Sequence, residues 1–278
     1  MRITTLIENT KGAAGCACEH GLSFYIETKR HIVLMDTGQS ALFMENATKL
    51  DADLTKVDTV VISHGHYDHG GGLPHFMKVN DHAAIYLQKA AADGHYSVDS
   101  PQKPPRYNGL APEIMKSDRI TWLDGDLQID DELSIFAGIG QRFPVPAGNA
   151  KLKARLSPDS ELIQDDFRHE QCLVISQGNK LTLLSGCAHH GILNILDHFR
   201  KLYGRDPDHV ISGFHMMKRD GIYTDEDVRQ ICDTARILSQ SSAVYFTGHC
   251  TEIRPYEIMR EIMGDQLQYV HCGDVINL

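Results

Sequence analysis

Four potential metal ligands fall within six residues of this chain, in the run His64-Gly65-His66-Tyr67-Asp68-His69. Imidazole nitrogen and carboxylate oxygen are donors that zinc and similar divalent ions accept. On a tight turn they cannot all face one ion. Alternate residues face one ion and the rest a neighbour, which predicts two positions roughly 3.5–4 Å apart. The run follows residues 57–63, an apolar β-type stretch. Catalytic groups of α/β proteins project from strand ends of this kind. A solvated polar loop gives no reason to pack three His and an Asp there.

Each ion needs further donors, and other strand ends offer them. Residues 181–185 lead into Gly186-Cys187-Ala188-His189-His190-Gly191, and residues 243–247 lead into Gly248-His249-Cys250. His215 follows residues 209–213 in the same manner. Any one of these His reads equally well as a cap or a packing residue. Beside the first cluster, His189 and His249 read as ligands. The chain holds 16 His, where ordinary usage gives roughly six. His31, His75, His82, His95, His198, His209 and His271 are expected at the surface.

These groups need strands to carry them. Residues 22–28, 31–36, 57–63, 170–177, 180–185, 209–212 and 243–247 read as strands, with a Gly178-Asn179 turn joining one pair. Residues 119–137 read as β-structure with turns. Helical spacing of apolar residues marks 40–50, Ile192–Tyr203, 224–238 with Thr224 as N-cap, and Ile253–Met263. Pro255 is expected to interrupt the last helix early. A further helix is expected after Gly70-Gly71-Gly72, through Phe76 and Met77. Residues 96–116, with four Pro, read as a long loop, and 144–158 as irregular. Strands interleaved with helices throughout imply α/β layers. The second half repeats the grammar of the first without a sequence repeat, and no linker divides the chain, so one domain over residues 1–278 is expected.

Composition bounds the alternatives. The 278 residues, 42% hydrophobic and 23% charged, suit a soluble globular protein. A net charge of -10 argues against a nucleic-acid or anionic-membrane partner. No apolar stretch is long enough to span a membrane. The N-terminus turns acidic at Glu8, too soon for a signal peptide. Seven scattered Cys read as reduced thiols. The expectation is a cytoplasmic protein with a small-molecule substrate, and the oligomeric state is left open.

The run His64-x-His66-x-Asp68-His69 after an apolar strand resembles the signature of the metallo-β-lactamase fold superfamily. Glu19-His20-Gly21-Leu22-Ser23, Asp36-Thr37-Gly38, residues 185–191, Gly213-Phe214-His215 and Thr247-Gly248-His249-Cys250 extend the resemblance to one subgroup. That subgroup includes the dihydropterin–ribofuranosylaminobenzene phosphate synthases of the methanopterin route. The resemblance implies a four-layer αββα sandwich with the site at one edge of its two sheets. It also implies that His64, His66 and His189 hold one metal and Asp68, His69 and His249 a second. Asp36 would then accept a hydrogen bond from a ligand His and fix its tautomer. Many superfamily members carry an Asp that bridges the metals where this chain has Gly186-Cys187. Cys187 is therefore a possible additional ligand or a buried thiol.

The expected function is hydrolysis of a small anionic substrate, phosphate- or carbonyl-containing, by a metal-bound hydroxide. Asp68 and His215 are the catalytic candidates, with His215 as proton donor or substrate contact. The cofactor is one or two divalent ions, zinc first, iron or manganese otherwise. The runner-up is transfer, in which an aromatic amine displaces diphosphate from a pterin. A non-catalytic metal-binding sensor or scaffold is the third reading. The superfamily's redox branch typically has Glu where this chain has His66, and relies on a flavin domain. Weaker features are Cys16-x-Cys18, too short a pair to hold zinc alone, and Arg106-Tyr107, read as a solvated loop. Lys218-Arg219 are candidates for a phosphate contact. Tyr67 and Phe214 are candidates for ring stacking, with packing the plainer reading.

Overall fold

The computed structural model describes every residue except 13, 101 and 219. Two seven-stranded sheets carry the chain, and they share one pairing scheme. In the first, Val275–Asn277, Arg2–Ile7, Ser23–Glu27 and Ile32–Met35 pair antiparallel. Thr59–Val61, Ala84–Gln88 and Ile120–Leu123 then continue it in parallel. In the second, Leu127–Gln128, Leu133–Phe136, Cys172–Gln177 and Lys180–Leu184 pair antiparallel. His209–Ile211, Val244–Thr247 and Leu267–Tyr269 continue it in parallel. The repeated grammar of the two halves is thus a repeat of topology.

Alternation along each strand sorts its side chains into layers. Val33, Met35 and Val61 of the first sheet meet Leu173, Leu184 and Ile211 of the second in a core between the sheets. Leu34, Val60 and Ile85 point the other way, onto Phe43, Ala47, Leu73 and Phe76. Leu183, Val210 and Tyr245 do the same beneath Ile195, Phe199, Ile231, Leu238 and Met259. Strands covered on both faces read as unbroken apolar runs. The order helix, sheet, sheet, helix is the αββα sandwich.

The helices follow the sequence pattern: Leu42–Lys49, Leu73–Val79, Ile192–Tyr203, Asp225–Leu238 and Ile253–Met263. Pro255 does not interrupt the last of these. It sits in the first turn, where the N–H it lacks has no partner within the helix. The largest departure is a third sheet, in the order Ile163–Gln164, Leu152–Arg155, Gly94–Ser97, Arg106–Tyr107. It takes residues from both stretches read as loop or irregular. Its strands have two to four residues, too short for an alternating pattern to show among the prolines. Among the described residues, no helix is long and apolar enough to cross a membrane.

Thr224 caps Asp225–Leu238 as its sequence implies. Its hydroxyl accepts from Asp227 N–H, and the Asp227 carboxylate accepts from Thr224 N–H at 2.7 Å, a reciprocal capping box. Thr224→Ala should cost about 1 kcal/mol and lower the melting temperature by roughly 2–4 °C. Calorimetry on the variant, with metal content unchanged, is the check.

Candidate metal centre

The chemistry-bearing residues lie where parallel strands end. Asp36 follows Ile32–Met35, and the His64–His69 run follows Thr59–Val61. Cys187 and His189 follow Lys180–Leu184, His215 follows His209–Ile211, and His249 follows Val244–Thr247. Four of these five turns hold a residue other than glycine in the left-handed region: Asp36 (φ 58°), Ala188 (55°), His215 (50°) and His249 (51°). Each costs on the order of 1–3 kcal/mol unless its surroundings hold it there. Strain therefore gathers where the two sheets present their side chains to one another.

His64, His66 and His189 are buried, and their donor atoms lie within 4.8 Å of one another. The three Nε2 atoms have no hydrogen-bond partner. A buried polar atom left unpaired costs roughly 1–3 kcal/mol, so three aimed at one point fit a shared cation. Their far nitrogens are engaged where partners are resolved. His64 Nδ1 meets Ser63 Oγ at 2.9 Å, and His189 Nδ1 meets Asn149 Oδ1 at 3.0 Å. Burial first, then the neighbouring imidazoles, hold all three well below the usual histidine range. They are neutral, with lone pairs available to an ion.

A second group adjoins the first. His69 Nε2 lies 3.2 Å from His249 Nε2 and 3.8 Å from Asp68 Oδ2. His249 Nε2 is 3.4 Å from the same oxygen. Four donors at first-shell distance from a tetrahedral ion stand about 3.3–3.7 Å apart, so these spacings suit one. Cys187 Sγ is 3.2 Å from His69 Nε2, beside this group. Burial pushes its thiol well above the ordinary value. Burial also opposes ionisation of Asp68, but the imidazoles of His69, His20 and His249 outweigh it and hold the carboxyl well below its usual range.

The six residues expected as ligands lie close together, His64, His66 and His189 as one triad and Asp68, His69 and His249 as a second. The donor atom of His69 also groups with those of His64 and Cys187, and those of Asp68 and His249 with that of His20. Asp36 lies behind them, fully buried. Its Oδ2 meets His69 Nδ1 at 2.7 Å and accepts from Ser63 Oγ at 2.8 Å, while Oδ1 accepts from Ser63 N–H at 2.7 Å. Since Ser63 donates its proton to Asp36, its oxygen accepts from His64 Nδ1. Asp36 thus fixes a histidine in each triad. The approach is close enough to need a glycine opposite: a Cβ on Gly186 would lie 2.2 Å from Ser63 Oγ.

Sequence reasoning missed several members. His20, seen only as part of a motif, meets Asp68 Oδ2 at 3.1 Å. Asn9 Oδ1 holds His249 Nδ1 at 2.9 Å, and Glu170 accepts from the N–H groups of His189 and His190 at 2.6 and 2.9 Å. Single Asn and Glu residues far away in sequence carry no spacing signal. His95, expected at the surface, is buried 2.9 Å from Asp165. Of the other six His so expected, His82 is exposed and the rest are half-buried.

His66, Asp68, His189 and His249 line a cleft of about 380 Å³, which His64 and His69 do not reach. His20 lines it as well, together with Ser97, Arg106, Asn108 and Leu152, from the third sheet and its flank. Arg106 is thus on a strand, with its guanidinium 6.0 Å from the Tyr67 ring centroid. Tyr67 lines the cleft, whereas Phe214 is buried in the core under the second sheet. Lys218 is paired with Asp227 and does not line the cleft, and Arg219 lies outside the described residues. Cys16 is buried and Cys18 half-buried, both as free thiols. His215 lines the cleft with its ring centroid 4.3 Å from that of His189. Its donor atom groups with Cys187 and Cys250 rather than with either triad.

The chain is 26% identical over 294 residues to 7,8-dihydropterin-6-methyl-4-(beta-D-ribofuranosyl)-aminobenzene-5'-phosphate synthase of Methanocaldococcus jannaschii, covering 99% of this chain and 96% of that one. It is 24% identical to an uncharacterized protein of the same organism, over 99% of this chain and 100% of the relative. Among solved structures it resembles Tm1679, a metal-dependent hydrolase of the beta-lactamase superfamily, with a TM-score of 0.82, 27% identity, and coverage of 100% of this chain and 99% of the other. The sequence model of the metallo-beta-lactamase superfamily matches residues 17–209; with that match, the sandwich and the paired triads at its edge, the chain belongs to the metallo-beta-lactamase superfamily.

Proposed function

We propose that the protein is a metal-dependent hydrolase of a small anionic substrate carrying a phosphoryl or carbonyl group. The observation that carries this is the set of three buried, unpartnered Nε2 atoms of His64, His66 and His189 beside Asp68, His69 and His249, with His66, Asp68, His189 and His249 lining a cleft. In this reading His64, His66 and His189 hold one ion and Asp68, His69 and His249 a second. Zinc is the ion proposed, with iron and manganese as the others this donor set admits. A divalent ion there polarises the substrate oxygen and makes water nucleophilic near neutral pH. Asp68, ionised among imidazoles, keeps a carboxylate facing the cleft. His215 gives or takes a proton at the reacting centre. Cys187 is a candidate further ligand beside His69. The substrate is a small molecule, and no nucleic-acid partner is proposed.

A second reading is transfer, favoured by the full-length likeness to the methanopterin-route synthase. The same residues then hold the ion, and an aromatic amine takes the place of water. Both readings predict that purified protein carries one or two equivalents of divalent metal, lost on substituting His64 or His189 with Ala. A panel of phosphodiesters, thioesters, lactones and pterin diphosphates, each with and without an added aryl amine, separates them. Turnover without amine supports hydrolysis, turnover only with it supports transfer, and a protein that takes up no metal sinks both.

Asp36→Ala frees His69 and, through Ser63, His64. Metal affinity or activity should fall on the order of 10–100-fold with the fold retained. Full activity in a folded Asp36→Ala protein would reduce this carboxylate to a turn residue.

His215→Ala should keep its metal and lose turnover, mostly in kcat, by roughly 10²–10⁴-fold. Metal content, melting temperature and kcat measured on one preparation decide it. A loss of metal would make His215 a ligand. A lower melting temperature with an unchanged rate would make it a packing residue.

A further inference from the structure

The stretch 165–171 contributes no ligand to the centre, yet besides Glu170 at the His189 backbone it touches the first triad twice more. Asp165, only 4% exposed, accepts at Oδ1 from Phe167 N–H at 2.8 Å. Its Oδ2 faces His95 Nδ1 at 2.9 Å and His169 Nε2 at 3.3 Å. His169 Nδ1 accepts from Gly65 N–H at 2.9 Å. That bond assigns the tautomer: Nδ1 is bare, so Nε2 carries the proton and gives it to Asp165. A path of hydrogen bonds therefore runs from the backbone between His64 and His66 to one buried carboxylate.

The second contact starts from the same side chain. The turn that Asp165 closes onto Phe167 accompanies a left-handed φ of 56° at Phe167. In that conformation the Phe167 ring lies flat against His189, with centroids 4.4 Å apart and planes 5° from parallel. One path ends on the backbone between the first two histidines, and the other on the face of the third.

The donor atoms of His66, His95, Asp165 and His169 also lie within 4.8 Å of one another, as those of a further cation site would. Their hydrogen bonds decide against that. Both ring nitrogens of His169 are engaged, and so are both of His95, whose Nε2 meets the Ala90 carbonyl at 3.1 Å. Among the nitrogens of this cluster, His66 Nε2 is the one left without a partner, like Nε2 of His64 and of His189 beside it. The cluster is therefore a brace. Gly65 is packed against it: a Cβ there would stand 3.0 Å from both Ala91 Cα and His95 Nε2.

We propose that Asp165 and His169 are positioning residues for the His64–His66–His189 site, holding its loop through Gly65 and its third imidazole through Phe167. This rests on the reading of that triad as an ion site. Two readouts test it on His169→Ala, His169→Gln and Asp165→Asn: competition with a chromogenic chelator for zinc at each position, and amide hydrogen exchange at Gly65 in the metal-free protein. His169→Ala should bind zinc on the order of 10–100-fold more weakly at the first position, keep the equivalent at the second, and lose protection at Gly65. His169→Gln, whose Oε1 can accept from Gly65 N–H, should recover part of both. Asp165→Asn, with the tautomer no longer held, should resemble His169→Ala. Unchanged affinity and exchange in the folded variants would overturn the proposal. So would equal loss from both positions in step with the melting temperature, which marks a general structural role. If His169→Ala does not fold, His169→Gln and Asp165→Asn carry the same comparison. Wild-type protein that takes up no zinc at the triad would defeat the ion-site reading, while Gly65 exchange still reports whether the brace exists.

Discussion

A carboxylate cannot be buried without partners, and Asp36 has no exposed surface at all. Its three contacts, with Ser63 N–H, Ser63 Oγ and His69 Nδ1, are what make its position tolerable. They also weld the ends of two neighbouring parallel strands together. The welded ends aim the His64–His69 run, because each imidazole tied at Nδ1 must present Nε2 to the other side. If Asp36 moves, a histidine of each triad loses its orientation at once. The left-handed φ at Asp36 is the local cost of bringing the carboxylate round to Ser63.

The second sheet supplies the other half of the centre by the same device. Its strands repeat the antiparallel-then-parallel order of the first, so their carboxyl ends arrive facing those of the first sheet. Glu170 holds the backbone at His189 and His190, and Asn149 and Asn9 hold the Nδ1 atoms of His189 and His249. Neither triad is complete within one sheet. His64 and His66 need His189 from across the gap, and Asp68 and His69 need His249. The apolar core between the sheets therefore sets the spacing on which both donor sets depend.

The sandwich and the clustering of the His64–His69 run were legible because their signals are local. A strand buried on both faces is an unbroken apolar run, and the dense run His64–His69 has no packing explanation. The supports were not legible, because each is a single polar residue whose meaning comes from a partner far away in sequence. Asp165 is read only beside His95, His169 only beside Gly65, and Asn9 only beside His249. His95 illustrates the converse error. Surface is the ordinary place for a lone His, and only the buried carboxylate opposite makes an interior one tolerable.

The third sheet's share of the cleft lining explains why the donors are easier to read from sequence than the rest of the cleft. The ends of the two main sheets bring the donors, and they are fixed by the core. The third sheet brings Ser97 and Arg106, and its register sets Arg106 opposite Ser97 and Ser97 opposite Leu152 in one row across the strands. That row lines the same cleft as His66, Asp68, His189 and His249. Its strands are too short to impose a periodic pattern and carry little of the core, so their residues can change without disturbing the sandwich. Both proposed readings use one set of donor residues. On either of them, the choice between water and an aromatic amine would fall to the cleft residues of the third sheet, which the donors do not include.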